Sequence, residues 1–208
     1  MTRILAIADQ VEEGLYGDLL RRLAPDLIIS CGDLPFDYLE NLVSLSDKPL
    51  VYVPGNHDQD LTPRPTNWAP LSFDDPIPGP QGCENADGRF VEAAGLTLAG
   101  LGGSVRYREG PNQYTQGEMK RRALGLELRA RIRRRRIDVF LAHSPPLDSG
   151  DGEDAPHRGF AAFHRLIAQL RPRLFFHGHL HPYGRKHDDR RLGAALVVNA
   201  VPYRLIEL

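Results

Sequence analysis

The sequence from residue 50 to residue 58 is Leu-Val-Tyr-Val-Pro-Gly-Asn-His-Asp. Its first four residues are apolar or aromatic and include two valines, which indicates a short buried strand. Pro54 and Gly55 end that strand, and Asn56, His57 and Asp58 follow directly after it. Ligands of open α/β sheets bind at the carboxyl ends of the strands. The stretch therefore predicts a sheet whose strand ends carry functional side chains.

Short apolar runs alternate with stretches of helical spacing along the rest of the chain. The other apolar runs are residues 4–8, 27–30, 96–101, 139–142, 174–176 and 196–198. Apolar residues recur at helical spacing in residues 15–23, 39–45, 119–132 and 160–170. This alternation predicts the α/β class, with parallel strands and right-handed βαβ crossovers in the first half of the chain.

The composition predicts one globular domain over residues 1–208, without an internal repeat. The 26 basic and 27 acidic residues give no overall charge that would draw the protein to nucleic acid or to an anionic membrane. Only Cys31 and Cys83 occur, and the first apolar run is too short for a signal peptide or a membrane span. We therefore expect a cytoplasmic protein without a membrane partner; the sequence carries no signal for an oligomeric state.

Residues 62–88 differ from the rest of the chain, since six prolines surround the single tryptophan, Trp68, without periodicity. This composition predicts a long surface loop, and loops of such length are often functional. We expect it to form a wall or a lid of the active site.

A run of arginines between residues 129 and 136 ends the third predicted helix. Positive charge at the carboxyl end of a helix is stabilised by the helix dipole, which favours a solvated helix face. The alternative is a nucleic-acid patch, but no aromatic residues that could stack with bases are interleaved with these arginines.

Side chains that bind metal ions follow five of the predicted strands. They are Asp9, Asp33, Asn56, His143 and the pair His179 and His181. Two divalent cations need mixed oxygen and nitrogen ligands and a carboxylate that bridges them, for which Asp33 is suited. The imidazoles favour manganese, iron, zinc or nickel over magnesium or calcium. The pattern predicts two divalent transition-metal ions.

Each of these residues has a simpler structural explanation when it is taken alone. Asp9 is a residue type that caps helices, and the pair Gly32 and Asp33 is common in turns. His177 follows two phenylalanines and is expected to be packed, while His164 and His187 are expected at the surface. The ordered repetition of ligands after five strands favours the metal site over these separate explanations.

The order of these blocks resembles that of the calcineurin-like metallophosphoesterases: Asp-x-His, Gly-Asp, Gly-Asn-His-Asp or Glu, a later histidine, and Gly-His-x-His. The resemblance covers residues 9–181. It implies a metallophosphoesterase-type sandwich of two β-sheets flanked by helices, with a binuclear centre at the strand ends. The implied roles are a bridging Asp33, Asp9 and His181 on the first cation, Asn56, His143 and His179 on the second, and a non-ligating His57 beside them.

The chain departs from this pattern at one position, because Val11 stands where the family has histidine two residues after the aspartate. Valine cannot bind a metal ion. The first cation would therefore keep three protein ligands and bind more weakly than the second. Glu12, Glu13 or water could replace the missing ligand.

The implied activity is that of a binuclear metal-dependent phosphoric ester hydrolase, in which a metal-bridging hydroxide attacks a phosphomonoester or a phosphodiester. Protonated His57 would stabilise charge on the phosphoryl group or donate a proton to the leaving oxygen, with Asp58 or Asp37 holding it.

Two further positions are candidate substrate contacts. Arg106 follows a predicted strand and glycines, and it or Arg108 could form a forked contact with a phosphate. His157 lies shortly after the predicted ligand His143 and before a predicted helix. A solvated surface loop is the alternative explanation for the arginines.

Two other functions remain as alternatives. The first is a metal-binding regulatory protein of the same fold with catalysis reduced by Val11, against which the complete Gly-Asn-His-Asp block argues. The second is a nuclease that uses the arginine run, for which steep salt dependence would be diagnostic.

Overall fold

The computed structural model describes residues 1–61, 79–181 and 188–208. Along these ranges the strands are β1 (Arg3–Ile7), β2 (Leu27–Ser30), β3 (Leu50–Tyr52), β4 (Cys83–Asn85), β5 (Phe90–Ala93), β6 (Leu96–Leu101), β7 (Ser104–Val105), β8 (Gln113–Tyr114), β9 (Val139–Ala142), β10 (Leu174–His177), β11 (Arg190–Leu192), β12 (Ala195–Asn199) and β13 (Tyr203–Glu207). The α-helices are α1 (Asp18–Leu23), α2 (Phe36–Ser46), α3 (Gln116–Ile132) and α4 (Ala162–Leu170). Two short 3-10 helices cover Glu13–Tyr16 and Ala155–His157.

These strands form two large mixed sheets. The first has the order β13-β1-β2-β3-β4, and the second has the order β11-β12-β10-β9-β6-β5. Strands β1, β2 and β3 run parallel, as do β9 and β10. A two-stranded ribbon, β7 and β8, stands beside them.

The two sheets pack face to face around one apolar layer. Alternate residues of β1, such as Ile4 and Ala6, pack in one cluster with Leu141 and Phe176 of the second sheet. The intervening Leu5 and Ile7 belong to a different cluster, since successive side chains of a strand point to opposite faces. The predicted sandwich of two β-sheets is thereby confirmed.

The helices cover the outer faces of the sandwich. Leu5 and Ile7 pack with Tyr38, Leu39 and Leu42 of α2. On the other side Phe140 and Phe175 pack with residues of α3 and α4, among which are Met119, Leu126, Phe163 and Ile167. Helices therefore flank the sandwich on both sides. Among the described residues, none of the helices combines the length and the apolar character of a membrane span.

The strands that the sequence did not predict are mostly short or half exposed. They include β4 within the proline-rich segment, the antiparallel strands β5 and β11, and the carboxyl-terminal β13. A continuous apolar run marks only strands buried on both faces, so these strands lack the signal that revealed the others. Of the loop predicted over residues 62–88, residues 62–78 lie outside the described residues, and β4 occupies part of the remainder.

Candidate metal centre

Four ligand-type side chains converge where the strands of the two sheets end. Asp9 follows β1, Asp33 follows β2, His143 follows β9 and His179 follows β10. One ligand atom from each of the four lies within 4.8 Å of those of the others. Two carboxylates and two imidazoles so close together form a mixed oxygen and nitrogen donor set of the kind that transition-metal ions prefer.

Asn56 adds an amide oxygen to this cluster. Its Oδ1 atom lies 3.0 Å from Nε2 of His143. Nε2 of His143 also lies 3.3 Å from Oδ2 of Asp33. Because Asn56 is 2% exposed, its amide is fixed towards the cluster rather than towards solvent.

Asp58 holds the turn that carries Asn56. Its Oδ2 atom accepts hydrogen bonds from the backbone N–H groups of Gly55, at 2.7 Å, and Asp33, at 3.0 Å. The His57 N–H donates to Oδ1 of Asp33 at 2.8 Å. Two of these hydrogen bonds join the Gly-Asp block to the Gly-Asn-His-Asp block, and the third closes the turn itself. Asp58 contacts the backbone of this turn.

The backbone at the cluster is strained. Asp9, Asp33 and His179 have φ angles of 62°, 57° and 67°, a left-handed conformation that costs free energy for residues other than glycine. Gly178 lies against Asp9 so closely that a Cβ atom would overlap the carboxylate. Such strain concentrates at functional sites, because there the surrounding structure fixes side chains in specific directions.

Both ring nitrogens of His143 face acceptors. Nδ1 lies 2.7 Å from the carbonyl oxygen of Cys31, and Nε2 faces Asn56 and Asp33. Burial alone would lower the pKa of His143, but the carboxylates of Asp33 and Asp9 raise that pKa to about 9. Without a metal ion the imidazole is therefore doubly protonated at neutral pH, and a cation would replace the Nε2 proton.

His179 is prepared as a ligand in a different way. Its Nε2–H donates to the carbonyl oxygen of Pro156 at 2.6 Å, which leaves Nδ1 with the lone pair. Burial, together with the charge on His143, lowers the pKa of His179 to about 3, so its ring is neutral at pH 7. A backbone carbonyl that fixes the tautomer is the usual partner of a metal-binding histidine.

The two carboxyl groups of the cluster differ in acidity. Burial raises the pKa of Asp9 to about 6, against the opposing effect of His143. Burial would also raise the pKa of Asp33, but His143 and the His57 amide lower that pKa to about 2. Asp33 is thus ionised throughout the neutral range and is the stronger anchor for a cation.

His181 lies near Asp9 but outside the group of four. Its Nε2 lies 3.9 Å from Oδ1 of Asp9, and its Nδ1 lies 2.9 Å from the amide nitrogen of Gln10. Val11 is half-buried and packs against the apolar cluster to which residues of α2 belong. The side chain at the position of the family's histidine therefore lies against the core, while its neighbour Gln10 contacts the predicted ligand.

His57 lies beside the cluster at the surface, and its partner is an arginine. Nη2 of Arg108 is 3.3 Å from Nδ1 of His57. An arginine only donates hydrogen bonds, so Nδ1 accepts and the proton of the neutral ring is on Nε2. The His57 imidazole therefore contacts Arg108, whereas Asp58, which the sequence offered as its partner, contacts the backbone of the turn.

The two predicted substrate contacts have different positions. His157 is near the cluster: its ring centre is 5.5 Å from that of His179, and its Nδ1 lies 2.7 Å from Asp154. Arg106 points elsewhere, because its guanidinium donates to Glu118 at 3.0 Å and to the carbonyl of Gln113 at 3.2 Å. The structure thus brings Arg108, rather than Arg106, to His57.

The predicted non-ligands also have defined contacts. His177 is 4% exposed, as expected for a packed residue, and its Nδ1 lies 2.9 Å from the Gly178 carbonyl. His164 is half-buried rather than at the surface, since Nε2 donates to the Leu147 carbonyl at 2.6 Å. His187 lies outside the described residues.

Sequence spacing did not indicate Gln10, Tyr107 or Asn112, which reach the site through side-chain amides and a phenol.

Comparison with known proteins agrees with this geometry. Residues 2–183 match the sequence model of the calcineurin-like phosphoesterases. The fold is similar to the crystal structure of TT1561 of Thermus thermophilus, with a TM-score of 0.61 at 21% identity over 96% of this chain and 88% of that one. It is also similar to GAP50 of Plasmodium, described as the anchor in the inner membrane complex, with a TM-score of 0.52 at 12% identity over 95% and 70% of the two chains. No protein with a curated description matches the chain in sequence.

Proposed function

Because the chain belongs to the calcineurin-like phosphoesterase family, we propose that it is a metal-dependent hydrolase of phosphate esters that uses two divalent cations. The observation that carries this proposal is the cluster of Asp9, Asp33, His143 and His179, whose ligand atoms lie within 4.8 Å of one another. Each imidazole in it is oriented by a backbone carbonyl, which is the arrangement that metal-binding histidines require.

The donor set fits two cations with unequal affinity. Asp33 would bridge them, Asn56, His143 and His179 would complete one site, and Asp9 with His181 would complete the other. When bound, the cations would lower the pKa of a water molecule and neutralise charge on the phosphoryl oxygens. Three imidazoles favour manganese, iron, zinc or nickel.

The chain's own residues would orient the substrate and supply a proton. His57 is exposed beside the cluster, and the Arg108 contact leaves its Nε2–H free to donate to the phosphoryl group or to the leaving oxygen. The His57 N–H also holds Asp33, so one turn fixes both the donor and the bridging carboxylate. The strained left-handed backbone at Asp9, Asp33 and His179 supports the same assignment.

The test is hydrolysis of an aryl phosphomonoester and the matching diester by metal-stripped protein titrated with manganese. Turnover should require the metal, and His57→Ala should reduce kcat about a hundredfold or more with metal binding intact. Asn56→Ala should weaken metal binding as well. His164→Ala is a control, because His164 contacts the carbonyl of Leu147 and none of the cluster residues. No turnover with two equivalents of metal bound would contradict the proposal.

A metal-binding regulatory protein is the second candidate, and it is supported by Val11, which packs against the core and offers no metal ligand. Loss of the family's histidine from the first site would weaken one of the two cations on which hydrolysis depends. In that case metal would bind, without turnover, and would change the affinity for a partner molecule.

The free thiols of Cys31 and Cys83 support a reducing compartment, for which we propose the cytoplasm.

A further inference from the structure

The ribbon of β7 and β8, residues 104–114, is fastened to the turn that carries Asn56 and His57. Nδ2 of Asn112 donates to the carbonyl of Gly55 at 3.0 Å and to that of Asp58 at 3.4 Å. The Gly103 N–H donates to the carbonyl of Pro54 at 2.8 Å. The ribbon and the turn therefore form one unit, so that side chains on the ribbon have fixed positions relative to the metal cluster.

The tip of this ribbon is held from within by one buried amide. Gln113 is 4% exposed, and its Oε1 accepts hydrogen bonds from the backbone N–H groups of Tyr107 and Arg108, both at 3.3 Å. The guanidinium of Arg106 pairs with Glu118 at the start of α3. Arg106 thus anchors the ribbon, and the two following residues point to the site.

Tyr107 and Arg108 contact two neighbouring residues of the Gly-Asn-His-Asp block. The Tyr107 hydroxyl accepts a hydrogen bond from Nδ2 of Asn56 at 3.3 Å, and Arg108 donates to His57 at 3.3 Å. Arg108 is exposed and, within the described ranges, has no carboxylate partner. A permanent positive charge that no carboxylate of the described residues pairs with, beside a histidine that donates through Nε2, is complementary to an anion with several oxygen atoms.

We propose that Arg108 contacts a non-bridging oxygen of the phosphoryl group and selects phosphomonoesters over diesters. This inference rests on the proposed function. A phosphomonoester has three terminal oxygens and up to two negative charges, whereas a diester has two terminal oxygens and one charge. In this assignment the cations and His57 would interact with two terminal oxygens and the leaving oxygen. Arg108 would bind the third terminal oxygen, which a diester lacks.

The first experiment measures the binding of inorganic phosphate to the manganese-loaded protein by calorimetry, for Arg108→Gln, Arg108→Lys and the parent protein. Arg108→Gln should weaken phosphate binding about ten- to a hundredfold, the range for a hydrogen bond to a charged group. Arg108→Lys should fall between the two, because lysine keeps the charge but lacks the fork. This measurement needs no turnover, so it tests Arg108 even if hydrolysis is absent.

A control variant and a pair of substrates complete the test. Arg121→Gln removes an equal charge from the exposed face of α3 and should leave phosphate affinity unchanged. If the protein hydrolyses esters, Arg108→Gln should lower kcat/KM for the aryl monoester about tenfold more than for the matching diester. Unchanged phosphate affinity in Arg108→Gln, an equal loss in Arg121→Gln, or equal losses for both esters would overturn the proposal.

Discussion

At the scale of single residues, we infer that Gln10 orients His181 and so offsets part of the loss of the histidine that Val11 replaces. A histidine that binds a metal through Nε2 needs an acceptor for Nδ1–H, and the Gln10 amide lies 2.9 Å from Nδ1 of His181. With its amide turned so that the oxygen faces the ring, Gln10 would hold His181 with Nε2 towards Asp9. It is a positioning residue in this account, since it contacts the ligand and not the cation.

Gln10→Ala should therefore weaken the binding of the lower-affinity cation and leave the affinity for the tighter cation unchanged. Loss of a residue that orients a ligand typically costs ten- to a hundredfold in metal affinity. Calorimetry with cobalt or manganese should resolve two binding steps, of which only the weaker shifts by about that factor. Gln169→Ala, on the exposed face of α4, is the matched control. Equal weakening of both steps, or no change in either, would contradict the assignment.

At the scale of secondary-structure elements, the site depends on how closely the loops after β1 and β10 approach each other. The Asp9 carboxylate accepts a hydrogen bond from the His179 N–H at 2.8 Å. Gly178 makes this approach possible, because a Cβ atom there would overlap both the Asp9 carboxylate and the Ala8 side chain. The two sheets are thus joined at the functional edge through a position that excludes side chains.

Gly178→Ala should displace Asp9 and abolish binding of the weaker cation while the fold persists. The expected loss of stability is about 1–3 kcal/mol, as for other overpacked positions. Gly125→Ala is the control, since a Cβ atom at that position in α3 meets no atom within 4 Å. That variant should be stabilised by about 0.5–1 kcal/mol and should bind metal normally. Thermal unfolding and metal titration of both variants measure these effects. Full metal binding by Gly178→Ala would show that a Cβ atom at this position does not displace the Asp9 carboxylate.

The parts of the fold that could be predicted from the sequence are those with a strong local signal. Buried strands such as β2 and β9 are continuous apolar runs, and polar ligands directly after them were identifiable because parallel strands end at one edge. Contacts between side chains distant in sequence, such as Arg108 with His57, leave no periodic trace. Two arginines separated by one residue are equivalent in sequence, and only the Glu118 and Gln113 contacts of Arg106 distinguish them.

At the scale of the whole molecule, we expect metal binding to be coupled to protonation and to stability. The pKa of His143 is raised to about 9 by Asp33 and Asp9, against burial, relative to its ordinary value of 6.5. A raised pKa means that the folded, metal-free protein binds this proton more tightly than the unfolded chain does. The stabilisation from that proton is complete below pH 6.5 and is lost as pH rises through about 9.

The temperature at the midpoint of thermal unfolding of the metal-free protein should therefore decrease as the pH rises from 6.5 to 9. In the metal-loaded protein deprotonation of His143 should cause no such decrease, because the cation replaces the proton. Metal binding near pH 7.5 should release about one proton, and the affinity should rise with pH until about 9. Calorimetry in two buffers of different ionisation enthalpy measures the proton release. A pH-independent metal affinity, or metal binding without proton release, would contradict this coupling.

The central claim is that one cluster both binds two cations and hydrolyses a phosphate ester. Bound manganese and turnover should be measured on the same samples while metal-stripped protein is titrated with the metal. We expect the first equivalent of manganese to bind tightly and to give little activity. Turnover of the phosphomonoester should rise as the second equivalent binds. Full activity at one equivalent, or none at two, would contradict it.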